Sequence, residues 1–217
     1  RPNILLVFSD QHRWCDLGCY GNDQVYSPNL DTFAAEGVRF SHCVSNCPVC
    51  VPMRGSMLTG LHPLRHGAIT NDLPVWHCVT SIGDVLAGAG YHTGYVGKWH
   101  LAGTPRDQAI PRGEGRYGFA EWKVCECNHD YMRAYYYDED DRRVEIEGYE
   151  PIAQTDLAIE FVRRNAVQRN AGKPWGLVLS WGPPHDPYHR LPAAYLERYA
   201  ETEMRLRPNV PKRVMNT

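Results

Sequence analysis

The first apolar stretch, NILLVFS (Asn3 to Ser9), is continuous rather than alternating and has strand length. That pattern predicts a strand covered on both faces, as in a parallel sheet. Asp10 ends it. SPNLDTFAAEG predicts a helix, with Ser27 as N-cap, Pro28 in the first turn and Gly37 as terminator. VRFSHCVS (Val38 to Ser45) reads as a second strand. Pro52 starts a short predicted helix running to about Leu58 and closed by Gly60. TSIGDVLAGAG predicts another helix, capped by Thr80, and YHTGYVGKW a strand whose C-terminal end carries Lys98 and His100. From Ala102 to Tyr149 no period holds, although YYYDEDDRRVEI has the look of a hairpin with an acidic tip. Beyond Pro151, Ile152, Leu157, Ile159, Phe161 and Val162 fall at helical spacing. WGLVLSW (Trp175 to Trp181) is a further buried strand, and YLERYAETEMRL is helix-like. The order β-α-β-α-β…α-β predicts an α/β fold, a largely parallel sheet flanked by helices.

In such a sheet the strand ends share one edge, so residues distant in sequence converge there. Asp10, Lys98, His100 and His185 fall at or just past strand ends, and Cys50 and Arg54 at a helix start. Free N–H groups and the helix dipole favour an anion beside Cys50. Together these residues hold one carboxylate, one potential nucleophile, two fixed cations and two imidazoles. That inventory suits binding and cleaving a tetrahedral oxyanion ester near a divalent cation. The Gly-rich loop of a nucleotide binder and the GxSxG elbow are both missing.

Composition narrows the picture. With 217 residues, 43% hydrophobic and 22% charged, the chain can bury a substantial core. A formal net charge of -2 gives no electrostatic reason to expect nucleic acid. No apolar stretch approaches the roughly 20 residues of a membrane span. RPNILLVFSD lacks a signal peptide's basic n-region and also an initiator Met, so the expectation is a removed leader or a cut chain. Periplasmic or secreted and cytoplasmic bacterial locations both stay open. The eight cysteines at 15, 19, 43, 47, 50, 78, 125 and 127 are too sparse for a disulfide framework. A zinc site drawing on Cys47/Cys50 and Cys125/Cys127 meets crowding by Pro48 and Pro52 and an unusually tight second spacing. Cys47 is expected to be packing.

Cys50-Val51-Pro52-Met53-Arg54, leading into Gly55-Ser56-Met57-Leu58-Thr59-Gly60, resembles the type I sulfatase signature, Cys-x-Pro-Ser-Arg followed by Leu-Thr-Gly. RPNILLVFSDQ, YSPNLDTFAAEGVRF, GYVGKWHLAG and PPHDPY are similar to four further motifs of that family, in order and across nearly the whole chain. The resemblance implies an alkaline-phosphatase-like fold and a sulfuric ester hydrolase acting on a sulfated carbohydrate or other small sulfate ester. It implies that a formylglycine-generating maturation enzyme converts Cys50. The hydrated aldehyde is a geminal diol, one hydroxyl attacking sulfur and the other expelling sulfate. It further implies Asp10 and Cys50 as ligands of a cation, calcium first and magnesium or manganese as alternatives. Arg54, Lys98 and His100 are implied to contact the diol or the sulfate and His185 the ester oxygen, with both imidazoles candidates for protonating the leaving alcohol. Asn71 is a substrate-binding candidate, because some family members carry a site Asn at this interval. His12, His62 and His66 receive no role.

Three departures qualify the resemblance. One aspartate, Asp10, stands where the family often has two, and Met53 where it has Ser. No stretch resembles the family's SDHG, which supplies two more metal ligands and a second lysine. The expectation is therefore that residues 1–217 are the N-terminal part of a catalytic domain, with a C-terminal subdomain and the remaining ligands outside. Residues 1–217 alone are expected to bind metal poorly and turn over little substrate. A phosphonate monoester or phosphodiester hydrolase of the same superfamily, and an inactive anion-binding fragment, are the alternatives.

Overall fold

The computed structural model of the chain describes residues 1–167 and 173–210. In chain order the elements are β1 (Ile4–Ser9), α1 (Pro28–Glu36), α2 (Cys50–Thr59), α3 (Pro63–His66), α4 (Ile82–Gly88) and β2 (His92–Lys98). Then follow β3 (Glu121–Cys125), β4 (Tyr135–Tyr137), β5 (Arg143–Glu145), α5 (Glu150–Val167), β6 (Trp175–Trp181) and α6 (Ala193–Glu197). The chain divides into two compact units, Arg1–Gln11 with Val44–Leu191, and His12–Cys43 with the described part of Pro192–Thr217.

The first unit holds one sheet in the order β1-β6-β2-β3-β4-β5. β1, β6, β2 and β3 run parallel, and β4 and β5 close the edge as an antiparallel hairpin. The apolar runs NILLVFS and WGLVLSW thus become neighbours, with Ile4 opposite Gly176 and Ser9 opposite Trp181. β3 lies inside the segment that showed no period. Its five residues bury Trp122 and Val124 but leave Glu121 and Lys123 half-exposed, so the charges interrupt the apolar signal. The hairpin forms at the place the sequence suggested, with Asp138–Arg142 between its strands. One sheet face packs on Tyr95, Trp99, Tyr117, Phe119 and Trp122, which interlock at centroid distances of 4.9 to 6.2 Å. A second cluster joins Ala158 and Phe161 of α5 to Val96, Trp175, Leu177 and Leu179.

Local chemistry sets the helix ends. α2 begins at Cys50, two residues before the expected Pro52, because its first bond runs from Met53 N–H to the Val49 carbonyl. Pro52 is tolerated there since the first N–H groups of a helix have no internal partner. Gly60, at φ 69°, ends the helix by donating its N–H to Ser56 O. α4 is capped by Ser81 rather than Thr80. Ser81 Oγ accepts from Asp84 N–H and Asp84 Oδ2 accepts from Ser81 N–H, each at 3.0 Å, a reciprocal capping box.

In the second unit α1 follows Ser27 as expected. Its hydroxyl accepts from Gly18 N–H and donates to Asp31 Oδ1 instead of capping the helix. Val38 to Ser45 forms no strand: Val38, Phe40 and Val44 are exposed, and an alternating apolar pattern without a sheet to bury it has nothing to hold it extended. YLERYAETEMRL is helical only at its start, where α6 ends at Glu197. No helix among the described residues is long and apolar enough to cross a membrane.

Candidate active site

The site forms in the first unit where β1, β2 and β6 end. Asp10 extends the β1–β6 pairing by one residue, its N–H bonding Trp181 O at 3.2 Å, and its side chain is buried. Its Oδ2 accepts from Lys98 Nζ at 2.7 Å and from Arg54 Nη2 at 3.0 Å. Burial alone would raise this carboxyl, but the Arg54 and Lys98 charges overcome it and hold the group down at about 2. Asp10 is therefore an anion throughout the physiological range.

Cys50 is the first residue of α2, and its Sγ lies 3.9 Å from Asp10 Oδ1. Val49 offers no capping side chain. Asn71 Oδ1 instead accepts from Val51 N–H at 3.1 Å, so an amide 20 residues away satisfies this helix start. Arg54, one turn along α2, is 1% exposed and almost wholly committed to the protein. Nη1 donates to Lys98 O at 2.7 Å and to Ser180 Oγ at 2.8 Å, while the guanidinium lies 5.1 Å over the Phe8 ring. Nε has no hydrogen-bond partner among the described residues. Arg54 thus ties α2 to the ends of β1, β2 and β6.

β2 and β6 approach closely at this end through Gly97, whose φ is +105°. A Cβ there would lie 2.1 Å from Ser180 O, so no other residue fits. Lys98 follows, its ammonium buried between Asp10 and His129, with Nζ 3.4 Å from His129 Nε2. The sequence placed Lys98 and His100 on one face of an extended segment. The strand instead stops at Lys98, and His100 has φ +58°, so a turn delivers His100 to the site. Its ring is buried, neither nitrogen has a hydrogen-bond partner among the described residues, and Asp72 Oδ1 is 4.0 Å from Nε2. Burial, then Lys98, Arg54 and Arg106, push His100 down to about 3, which makes it neutral at pH 7. Asp72 is itself clamped by Arg106, with Nε to Oδ1 at 2.7 Å and Nη2 to Oδ2 at 2.8 Å.

His185 lies past β6. Its Nδ1 is 2.8 Å from Asp186 O and 3.0 Å from Asp186 Oδ1, and its ring stacks on His129 at 4.4 Å. Asp10, Cys50, Arg54 and Lys98 are joined by direct contacts, Asn71 reaches the start of α2 through the Val51 N–H, His100 adjoins through its charged neighbours, and His185 connects through His129.

Sequence reasoning missed Ser180, His129, Asp72, Arg106 and Glu126. Glu126 is fully buried, accepts from Ala102 N–H at 2.8 Å and Leu101 N–H at 3.4 Å, and so secures the turn carrying His100. Burial pushes its carboxyl up to about 7. Ser180 carried a signal, as the one hydroxyl near the end of an otherwise apolar strand.

A cation finds few donors here. Asp10 Oδ2 is occupied by Lys98 and Arg54, leaving Oδ1 facing position 50. Among the described residues no group of three or more His, Cys, Asp or Glu side chains is placed to hold a metal. Calcium takes roughly six to eight oxygens, so this set does not fit the ion by itself and supplies at most one edge of its shell.

The chain matches the Sulfatase family over residues 2–216. An ulvan-active sulfatase from Formosa agariphila is 38% identical over 211 residues, spanning 97% of this chain and 40% of that protein. An endo-4-O-sulfatase from Bacteroides thetaiotaomicron is 30% identical, over 88% of this chain and 44% of that protein. Among solved structures, the putative sulfatase yidJ from Bacteroides fragilis superposes with a TM-score of 0.89 at 28% identity, over 97% of this chain and 50% of that one. BT4656, in complex with its substrate D-glucosamine-2-N,6-O-disulfate, gives 0.82 at 28% identity, over 96% and 40%. The chain spans roughly two fifths of the length of these two curated relatives. With the match running through nearly every residue and through the strands that carry the site, the chain belongs to the sulfatase family.

Proposed function

We propose that this chain provides the nucleophile and anion-binding side of a sulfuric ester hydrolase, with Cys50 converted to formylglycine and a sulfated carbohydrate as substrate. One observation carries the reading. Cys50 opens a helix beside Asp10, and Asp10 is held by the two buried cations Arg54 and Lys98. Hydrated formylglycine supplies one hydroxyl to attack sulfur and another whose deprotonation releases sulfate.

The chain's own residues do the rest. One carboxylate and two cations leave the cluster with a single positive charge, and the α2 N-terminus adds to it, so a sulfate ester is drawn to position 50. Arg54 positions; Lys98 binds, since an ammonium has N–H groups beyond the one given to Asp10. His100, kept neutral, hydrogen-bonds a sulfate oxygen. We assign protonation of the leaving alcohol to His185, whose Nδ1 rests on Asp186 and whose Nε2 can carry the proton. Asn71 keeps its Nδ2 for a substrate oxygen while Oδ1 holds α2. Asp10 and the converted residue contribute one edge of a divalent-cation site, calcium first, whose other oxygens come from outside this set. The saccharide assignment draws on the ulvan-active and endo-4-O relatives and on the bound glucosamine disulfate of the structural neighbour.

The test is to express the protein from its natural coding sequence beside a formylglycine-generating enzyme. Mass spectrometry of the Cys50 peptide is paired with sulfate and phosphate esters of one phenol. Aldehyde at position 50 and preference for the sulfate ester are expected. A converted residue that turns over only the phosphate ester, or a thiol that resists conversion, overturns the proposal.

A further inference from the structure

We infer that His129 is a positioning residue of this site, a neutral imidazole that aims the Lys98 ammonium with its Nε2 and backs the His185 ring with its face. The inference rests on the sulfuric ester hydrolase reading above.

His129 lies between β3 and β4, ahead of the hairpin and in the segment where no hydrophobic period holds. Lys98 Nζ sits 3.4 Å from His129 Nε2. An ammonium only donates, so Nε2 must present its lone pair and the ring's single proton belongs on Nδ1. The tautomer follows from chemistry, without a hydrogen in view. Burial, then Lys98 and His185, agree by pushing His129 down to about 4. Of its three N–H groups one goes to Asp10 Oδ2 at 2.7 Å and one to His129, which leaves the third for a bound anion. Two fixed partners turn a flexible lysine into a directed donor.

The face of the ring has a second task. His129 and His185 stack with centroids 4.4 Å apart and planes 16° from parallel. Asp186 grips His185 at its Nδ1 edge, and His129 supports its face, so the orientation of Nε2 is set from two directions. A neutral ring can lie against His185 when that residue carries a proton, whereas two imidazolium ions would repel. The groups facing His129 are Lys98, Cys127 (Sγ 3.6 Å from Nε2), Tyr131, His185, Asp186 and Arg106.

Two uncharged variants of the holoprotein separate these tasks. His129→Phe keeps a ring against His185 and removes the acceptor; His129→Gln keeps an acceptor near Lys98 and removes the ring. For His129→Phe, kcat/KM for a sulfate ester should fall roughly 10- to 100-fold, the scale of one hydrogen bond to a charged group, and competitive inhibition by inorganic sulfate should weaken in step. For His129→Gln, inhibition by sulfate should stay near wild type. Its kcat should drop most for esters of poor leaving alcohols, with the alkaline limb of the pH profile displaced. Long-range ¹⁵N correlation spectra of the wild type should show His129 protonated at Nδ1, a readout that needs no turnover and stands even if a variant fails to fold. His129→Phe with unchanged kcat/KM and sulfate inhibition, or an Nε2–H tautomer, overturns the inference alone. A wild type with Cys50 converted but inactive on every sulfate ester sinks the hydrolase reading and the inference with it.

Discussion

Replacing Asp10 by Asn tests the electrostatic argument at its centre. The carboxylate is the shared partner of Lys98 at 2.7 Å and Arg54 at 3.0 Å, and all three side chains are at most 5% exposed. The amide preserves shape and one acceptor but cancels the charge, so the cluster goes from one net positive charge to two. Removing one member of a buried ion pair costs roughly 3–5 kcal/mol, and the retained acceptor argues for the lower end, about 3 kcal/mol. For a protein near this size, about 3 kcal/mol lowers the melting temperature by roughly 6–12 °C. The assay is thermal unfolding with a chelator present, so that loss of a cation contributes nothing, in chloride and in sulfate at matched ionic strength. Sulfate at about 100 times its Kd adds about 2.7 kcal/mol to any protein that binds it only when folded. The variant should bind the anion more tightly and gain more from a given concentration than the wild type. Melting within about 2 °C of wild type in chloride, or equal stabilisation of both proteins by sulfate, would falsify the claim that Asp10 balances two buried cations.

Three further predictions use other features. Cys50→Ala should abolish sulfate ester turnover while changing unfolding free energy by about 1 kcal/mol or less, because the thiol is only partly buried; a destabilised but active variant contradicts the assigned role. Glu126 titrates at about 7 in the folded protein against an ordinary 4.5. A carboxyl that holds its proton more tightly when folded stabilises below pH 4.5 and loses that contribution as pH rises through 7, here about 3 kcal/mol. Glu126→Gln should therefore narrow the stability difference between pH 4.5 and 8 in urea titrations, and an unchanged difference counts against a buried carboxyl at this turn. Ser81→Ala removes both the capping-box acceptor and the donor to Tyr117 O, costing about 1–2 kcal/mol by thermal melting; a loss of a few tenths speaks against the box.

What the sequence revealed follows from how each signal arises. NILLVFS and WGLVLSW were legible as strands because a strand covered on both faces needs no alternation. Asp10 was legible because a charge directly after such a run sits at the sheet edge, and Lys98 because it closes the predicted strand that became β2. β3 was hidden because Glu121 and Lys123 remain half-exposed within five residues. Val38 to Ser45 misled for the opposite reason, since its pattern suits a strand that no neighbour pairs. The turn that brings His100 inward depends on a left-handed backbone at a histidine, which spacing does not encode. His129 and Glu126 sit in a segment without period, and their roles exist only once β3 is placed beside β2. Ser180 became meaningful only when Arg54 was seen to reach it.

The strand order also constrains how the protein is made. β6 lies between β1 and β2, so Ile4 must wait for Gly176 before it acquires its sheet partner. On the ribosome, β1 has no strand to pair with among the described residues until Trp175–Trp181 has emerged, and the cluster around Asp10 has no foundation before then. A nascent chain stalled ahead of Trp175 therefore carries an unpaired apolar ribbon, a target for chaperones and a seed for aggregation.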